Sequence, residues 1–224
     1  VNHLQGHALS PRLENDIAFP YLLLLTSGGH CQIIKVSGVR EFEILSTTID
    51  DAAGEAFDKL AKLLEIGYPG GPAVEKMAKN GNPLAFKLPV PKTQNPLDFS
   101  FSGLKSASMR EFEKNPKLNK ADLCASFEKT VCDIFAGRLT TALAETKATR
   151  LVVAGGVSAN LKLREKLKEV ADLHAAEFFA PSLKLATDNA AMIAWAGLEN
   201  FKAGYTSELT HGVRPRWPLT ELGL

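Results

Sequence analysis

Residues 150–160, Arg-Leu-Val-Val-Ala-Gly-Gly-Val-Ser-Ala-Asn, run from an unbroken apolar segment into paired glycines and then into polar residues that can open a helix. An apolar run without polar alternation fits a strand buried on both faces, as inside a parallel sheet. The glycines make a strand-to-helix turn, and a helix is expected from Ser158 to about Val170. Glu177-Phe-Phe-Ala180 then reads as a second short strand and Asp188 to Phe201 as a last helix. Strand, helix, strand, helix is an α/β signature.

The same reading extends upstream. Tyr21-Leu-Leu-Leu-Leu-Thr26 is another doubly buried strand, followed by Gln32–Val36 and Glu41–Leu45 across a hairpin connection at Ser37-Gly38-Val39. Ala52, Ala56, Phe57, Leu60, Leu63 and Leu64 recur at helical spacing, with Asp50 and Asp51 suited to the helix N-terminus. Gly67-Tyr-Pro-Gly-Gly-Pro72 breaks that helix, and Pro72 opens another to about Lys79. Residues 81–102 hold several prolines and little periodicity, and read as an insertion. Helices are expected from Ser102 or Gly103 to about Glu113 and from Asn119 to Thr146. Residues 1–10 read as the tail of a helix ending before Pro11.

The chain has 224 residues, 45% hydrophobic and 23% charged, enough for one sizeable core or two small ones. Its 26 Lys and Arg nearly balance 25 Asp and Glu, so no global basic field marks a nucleic-acid binder, although a local patch can suffice. Cys31, Cys124 and Cys132 are too scattered for a disulfide framework, which favours a reducing, cytoplasm-like compartment. No apolar run reaches the roughly 18 residues that span a bilayer. The chain opens on Val1 without a signal-like segment and is read as a fragment that lacks its N-terminal part.

Several residues are equipped for chemistry. His3 and His7 are four apart, so on a helix their imidazoles share one face and can share a metal. Position 4 is Leu, where a zincin protease carries a glutamate base. Asp188, at a helix start, is either an N-cap, a duty open also to Thr187, or the third ligand of a site suited to iron or zinc. Thr26-Ser-Gly-Gly-His30 is either a tight turn or a loop whose amides approach a phosphate. Gly155 to Asn160 offers helix N–H groups to an anion, with Asn160 placed to bond a ribose or base, although Ser158 as a plain N-cap reads equally well. Asp51, Glu55 and Asp58 can share one helix face, either solvated or holding hydroxyls or a cation. His211-Gly-Val-Arg-Pro-Arg-Trp-Pro218 adds positive charge that is either a solvated tail or an RNA contact.

Taken in order, Asn2-His-Leu-Gln-Gly-His7, Ser27-Gly-Gly-His30, Ile49-Asp-Asp-Ala-Ala-Gly-Glu-Ala-Phe-Asp-Lys59, Tyr68-Pro-Gly-Gly-Pro72, Phe101-Ser-Gly-Leu-Lys105, Gly155-Gly-Val-Ser-Ala-Asn160 and Thr187-Asp-Asn-Ala-Ala-Met192 closely resemble the tRNA threonylcarbamoyladenosine-forming transferases, the Kae-one/Qri-seven family. Thr26 and Cys31 depart from it, standing where Val and Thr are usual. The resemblance implies an actin-like fold of the sugar-kinase and heat-shock ATPase type, with two α/β lobes. Residues 1–50 would be the remainder of an incomplete first lobe and 51–224 the second lobe. It also implies transfer of a threonylcarbamoyl group from threonylcarbamoyl-AMP to the exocyclic amine of the adenosine beside the anticodon in ANN-decoding tRNAs. His3, His7 and Asp188 would hold one divalent metal ion, iron or zinc. Leu25, Thr26, Ser27, Gly28, Gly29, Asp58, Gly71 and Asn160 would hold the adenylate donor. The catalytic base is not identified, and the expected missing segment is one place for it. The implied partners are tRNA, a paralogous subunit and a small ATPase, in bacterial cytoplasm or alternatively the mitochondrial matrix, with no membrane. The fragment alone is expected to be poorly active. Two competing readings are an ATP-using kinase or ATPase of the same fold, and a non-catalytic scaffold subunit.

Overall fold

The computed structural model describes residues 1–208, 210 and 212–222, so His211 lies outside the described residues. The strands are β1 (Tyr21–Thr26), β2 (Cys31–Gly38), β3 (Glu41–Thr47), β4 (Arg150–Ala154) and β5 (Glu177–Phe179). The helices are α1 (His3–Leu9), α2 (Ala53–Leu64), α3 (Gly70–Ala78), α4 (Ser102–Lys114), α5 (Lys120–Thr146), α6 (Leu161–Leu173) and α7 (Ala190–Lys202). The strands form one sheet in the order β3-β2-β1-β4-β5. β1, β2 and β3 pair antiparallel, whereas β1–β4 and β4–β5 are parallel.

Alternation along β1 and β4 sorts the core into two layers. Leu22, Leu24, Leu151 and Val153 face α2 to α6, where Phe57, Phe127, Phe135 and Leu139 fill the larger core. Tyr21, Leu23, Leu25, Val152 and Ala154 face the opposite way, onto Ala8, Ile17, Leu219 and Leu222. The apolar runs therefore mean what the sequence suggested: these central strands are buried on both faces.

The expected division at residue 50 does not follow the sheet. β1 is the middle strand and pairs with β4, from Leu22 with Leu151 to Leu25 with Ala154, so residues 21–47 belong to the same layer as 150–179. Strand pairing across more than a hundred positions carries no local signal.

The insertion has no helix of its own and is tied to α5. Asp122 accepts from the Asn82 N–H at 2.8 Å, the Ser126 hydroxyl accepts from the Phe86 N–H at 3.1 Å, and Arg138 donates to the carbonyls of Asp98 and Pro91. No described helix is long and apolar enough to cross a membrane.

Candidate functional site

Thr26 and Gly155 lie side by side, because each follows the last pair of the parallel β1–β4 ladder, Leu25 with Ala154. The crevice beyond the carboxyl ends of such strands is the common ligand position in α/β sheets. Here the two turns touch. Gly155 has φ +90°, and a Cβ there would lie 2.3 Å from the Thr26 carbonyl oxygen, so both the conformation and the space require glycine. Gly54, in the first turn of α2, closes from another side: a Cβ would lie 2.7 Å from the Ser27 carbonyl oxygen and 2.8 Å from Gly28 Cα. The N-terminus of α2 thus rests on the 26–29 turn, and its N-cap Ala52 offers no side chain to the first-turn amides.

The turn is held by its own bonds. The Ser27 N–H donates to the His30 carbonyl at 2.8 Å, and the Ser27 hydroxyl accepts from the His30 N–H at 3.1 Å, which leaves the hydroxyl proton for another partner. Gly28 and Gly29 face open space.

From this turn a ring of contacts runs through the other expected donor-site residues. Asp58, one helical turn beyond Gly54, accepts from the Gly70 N–H at 2.7 Å. Gly71 follows and is open. One turn further along α3, Glu75 accepts from the Leu161 N–H at 3.0 Å, beside Asn160. Asn160 then leads back through residues 156–159 to Gly155 and the β1 turn. The 26–29 turn, Asp58, Gly71 and Asn160 are therefore linked along one chain of contacts, whereas the Leu25 side chain is buried in the smaller core.

Several capping expectations are corrected. Asp50 does not cap α2; it accepts from the N–H groups of Phe101 and Ser102 and from the hydroxyls of Ser100 and Ser102, so it ties the start of α4 to the end of β3. These bonds pull its carboxyl below the ordinary range even though burial opposes them. Asp51, Glu55 and Asp58 do not act together: Lys59 bridges Asp51 and Glu55 at 2.7 and 2.6 Å, while Asp58 turns to Gly70. α6 starts at Leu161 rather than Ser158, and its N-cap is Asn160, whose Oδ1 accepts from the Leu163 N–H at 2.8 Å.

The second cluster is built from side chains. α1 lies against α7 at Gly6, where a Cβ would meet Ile193 Cδ1 at 2.9 Å. The Asn2 side chain caps α1, and the Tyr21 hydroxyl donates to the Ala8 carbonyl at 2.9 Å, pinning the helix to the sheet. His7 Nε2 then lies 2.9 Å, and His3 Nε2 3.5 Å, from Asp188 Oδ1. Each residue offers a ligand atom within 4.8 Å of the others. Asp188 is free for this because the next residue, Asn189, caps α7 by accepting from the Met192 N–H at 2.9 Å. The His7 side chain is 2% exposed, against 55% for His3 and 73% for Asp188. Burial lowers the His7 pKa against the pull of Asp188, and burial with His3 nearby lowers that of His30, which favours neutral imidazole, the form that binds metal. Leu4 packs into the smaller core, so no carboxylate base stands there. The two clusters adjoin, since a Cβ on Gly156 would sit 3.7 Å from the Thr187 methyl.

Burial pushes the Cys31 thiol far up and those of Cys124 and Cys132 up to about 12, so all three stay protonated and are no nucleophiles. The sequence reading missed Gly54 and Glu75. A glycine inside a helical pattern was the available signal for Gly54; nothing local marks Glu75.

The sequence model of the TsaD family, described as tRNA N6-adenosine threonylcarbamoyltransferase, matches residues 1–195. The chain belongs to this family. It is 54% identical over 229 residues to the tRNA N6-adenosine threonylcarbamoyltransferase of Paramagnetospirillum magneticum, covering 98% of this chain and 66% of that protein. Its identity to the protein of the same name from Novosphingobium aromaticivorans is 55%, with coverage of 99% and 64%, and to that of Rhodospirillum rubrum 53%, with 98% and 64%. The chain thus spans about two thirds of the length of these TsaD relatives. Among solved structures, full-length HypF in its phosphate- and nucleotide-bound form aligns with TM-score 0.71 at 14% identity, over 92% of this chain and 36% of that one. The activator of 2-hydroxyisocaproyl-CoA dehydratase from Clostridium difficile with bound ADPNP gives TM-score 0.53 at 15% identity, over 93% and 71%. These likenesses concern the fold alone, and bear out the actin-like α/β class.

Proposed function

We propose that this chain supplies the donor-binding and metal-binding residues of a tRNA N6-adenosine threonylcarbamoyltransferase, moving the threonylcarbamoyl group from threonylcarbamoyl-AMP to the exocyclic amine of the adenosine beside the anticodon in ANN-decoding tRNAs. The observation that carries the reading is the juxtaposition, in a TsaD-family chain, of a His3, His7 and Asp188 donor set with a glycine-walled turn at the ends of parallel strands.

The residues fit a divalent metal. Two imidazole nitrogens and one carboxylate oxygen converge, a donor set suited to iron or zinc. His3, His7 and Asp188 would hold it, and when bound it would supply a Lewis acid for the carbamoyl or phosphate oxygens. The protein's own groups have separate tasks. Backbone amides at Gly28 and Gly29 and at the α2 N-terminus receive the adenylate phosphate and steady the charge it gains as leaving group. The Ser27 hydroxyl donates to the same group. Asn160, with Asp58 and the open backbone at Gly71, orients the nucleoside. The amine nitrogen bonds to the carbamoyl carbon, the bond from that carbon to the phosphate oxygen breaks, and AMP leaves while the amine loses a proton to a base not among these residues.

The proposal includes tRNA as substrate, a paralogous subunit and a small ATPase as partners, and a bacterial cytoplasmic setting compatible with three unpaired cysteines. The test takes a protein of the full length of its TsaD relatives that contains this chain, adds partner subunits, threonylcarbamoyl-AMP and an ANN-decoding tRNA, then digests the tRNA and weighs its nucleosides. Modified adenosine formed by the parent and lost in Asp188→Ala is the expected result. A folded, metal-loaded complex that yields none, and turns over ATP instead, would replace this reading by the kinase-like one.

A further inference from the structure

We propose that Glu128 is a positioning residue for the nucleotide: its carboxylate, buried on α5, accepts one amide hydrogen of Asn160 and so fixes the direction in which that amide presents its other hydrogen. The inference rests on the donor-site reading above and deepens it.

An asparagine amide can turn over, exchanging its oxygen for its NH2 group. Two contacts decide the matter here. The Leu163 N–H meets Oδ1 at 2.8 Å, and Glu128 Oε1 meets Nδ2 at 2.7 Å. A carboxylate only accepts, so it tolerates the NH2 group and rejects the oxygen. Both side chains belong to buried residues, Glu128 at 7% and Asn160 at 8% exposure, so solvent does not stand in for either contact.

Capping α6 does not need Glu128, because Asn160 caps through its oxygen alone. Placing a carboxylate there works against stability. No described lysine or arginine forms an ion pair with it, burial and the nearby Glu75 both disfavour its charge, and Lys162 and Lys79 act on it only weakly by comparison. Among the described residues its one side-chain hydrogen bond is to Asn160. With Glu75 and Leu161, Glu128 also lines a cavity of about 650 Å³ between α3, α5 and α6, so its side chain lies at the edge of open space rather than deep in the apolar core. A group that costs stability, is unneeded for the cap and has a single partner is best explained by what that partner must do.

The experiment measures binding of AMP to the full chain by calorimetry for the parent, Asn160→Ala, Glu128→Leu, Glu128→Gln and the Asn160→Ala/Glu128→Leu double variant, with thermal unfolding alongside. Glu128→Leu should weaken AMP about tenfold, approaching Asn160→Ala. Glu128→Gln should stay within about threefold of the parent, since its amide oxygen accepts the same hydrogen. The double variant should bind no more weakly than Asn160→Ala. Should Glu128→Leu fail to fold, Glu128→Ala takes its place in both backgrounds. Parent-like binding by Glu128→Leu while Asn160→Ala is impaired overturns the proposal and leaves the donor-site reading standing, as does a further loss in the double variant. No AMP binding by the parent, or parent-like binding by Asn160→Ala, means that the donor-site reading has failed and this inference with it.

Discussion

The two neighbouring clusters are made in opposite ways. The turn at 26–29 is shaped by backbone: Gly54 and Gly155 leave it no room to move, and Gly28 and Gly29 face open space. The His3, His7 and Asp188 set is shaped by side chains from two helix ends, one imidazole buried and the other two groups exposed. A backbone pocket is finished when the sheet is finished. A side-chain set with exposed members has its elements in place but gains its final geometry from what it binds. The fold should therefore depend heavily on the first cluster and ligand affinity on the second.

The most severe challenge to that contrast is a pair of glycine variants. Gly155→Ala combines φ +90° with a Cβ 2.3 Å from a carbonyl oxygen, and should cost about 3 kcal/mol in urea unfolding. Gly28→Ala meets nothing within 4 Å and should stay within about 0.5 kcal/mol of the parent. Equal losses in the two would erase the distinction. On the side-chain cluster, His7→Ala should weaken zinc binding by about a hundredfold or more, read by competition with a chelator, without a matching loss of fold. Unchanged zinc affinity would remove His7 from the set.

Smaller effects sharpen the same point. Tyr21→Phe deletes the bond that pins α1 to the sheet, and should cost about 1 kcal/mol while loosening metal binding as well. A stability change without any change in affinity would show that the position of α1 does not govern the metal ligands. Glu128→Gln should raise stability modestly at pH 7. Burial lifts the Glu128 carboxyl above its unfolded value, so the folded state binds its proton more readily, and the wild-type glutamate loses stability as pH rises from the unfolded pKa through the folded one. The gain should fade as pH falls below the ordinary glutamate range. A gain that grows toward acid pH has the wrong sign for this cause.

What could be read from the sequence follows from how local the cause is. The doubly buried strands at 21–26 and 150–154, the histidine pair and the glycine turns announce themselves within a few residues. The division at residue 50 misled because the β1–β4 pairing that crosses it joins distant positions. Caps misled for a related reason: neither Asp50 nor Asp51 caps α2, and packing alone chooses Asn160 over Ser158 for α6 and Asn189 over Asp188 for α7. In the last pair that decision frees Asp188 for the histidines. Glu128 was invisible because its meaning lies in the distant Asn160.

The claim that these side chains form a metal site beside a preformed backbone pocket is tested most directly by titrating the metal-free chain with Co(II) and recording its visible d–d absorption. The account predicts saturation at about one equivalent, loss of that spectrum in Asp188→Ala, and an unchanged spectrum in Gly28→Ala. No saturable spectrum in the parent, or an identical one in Asp188→Ala, would contradict it.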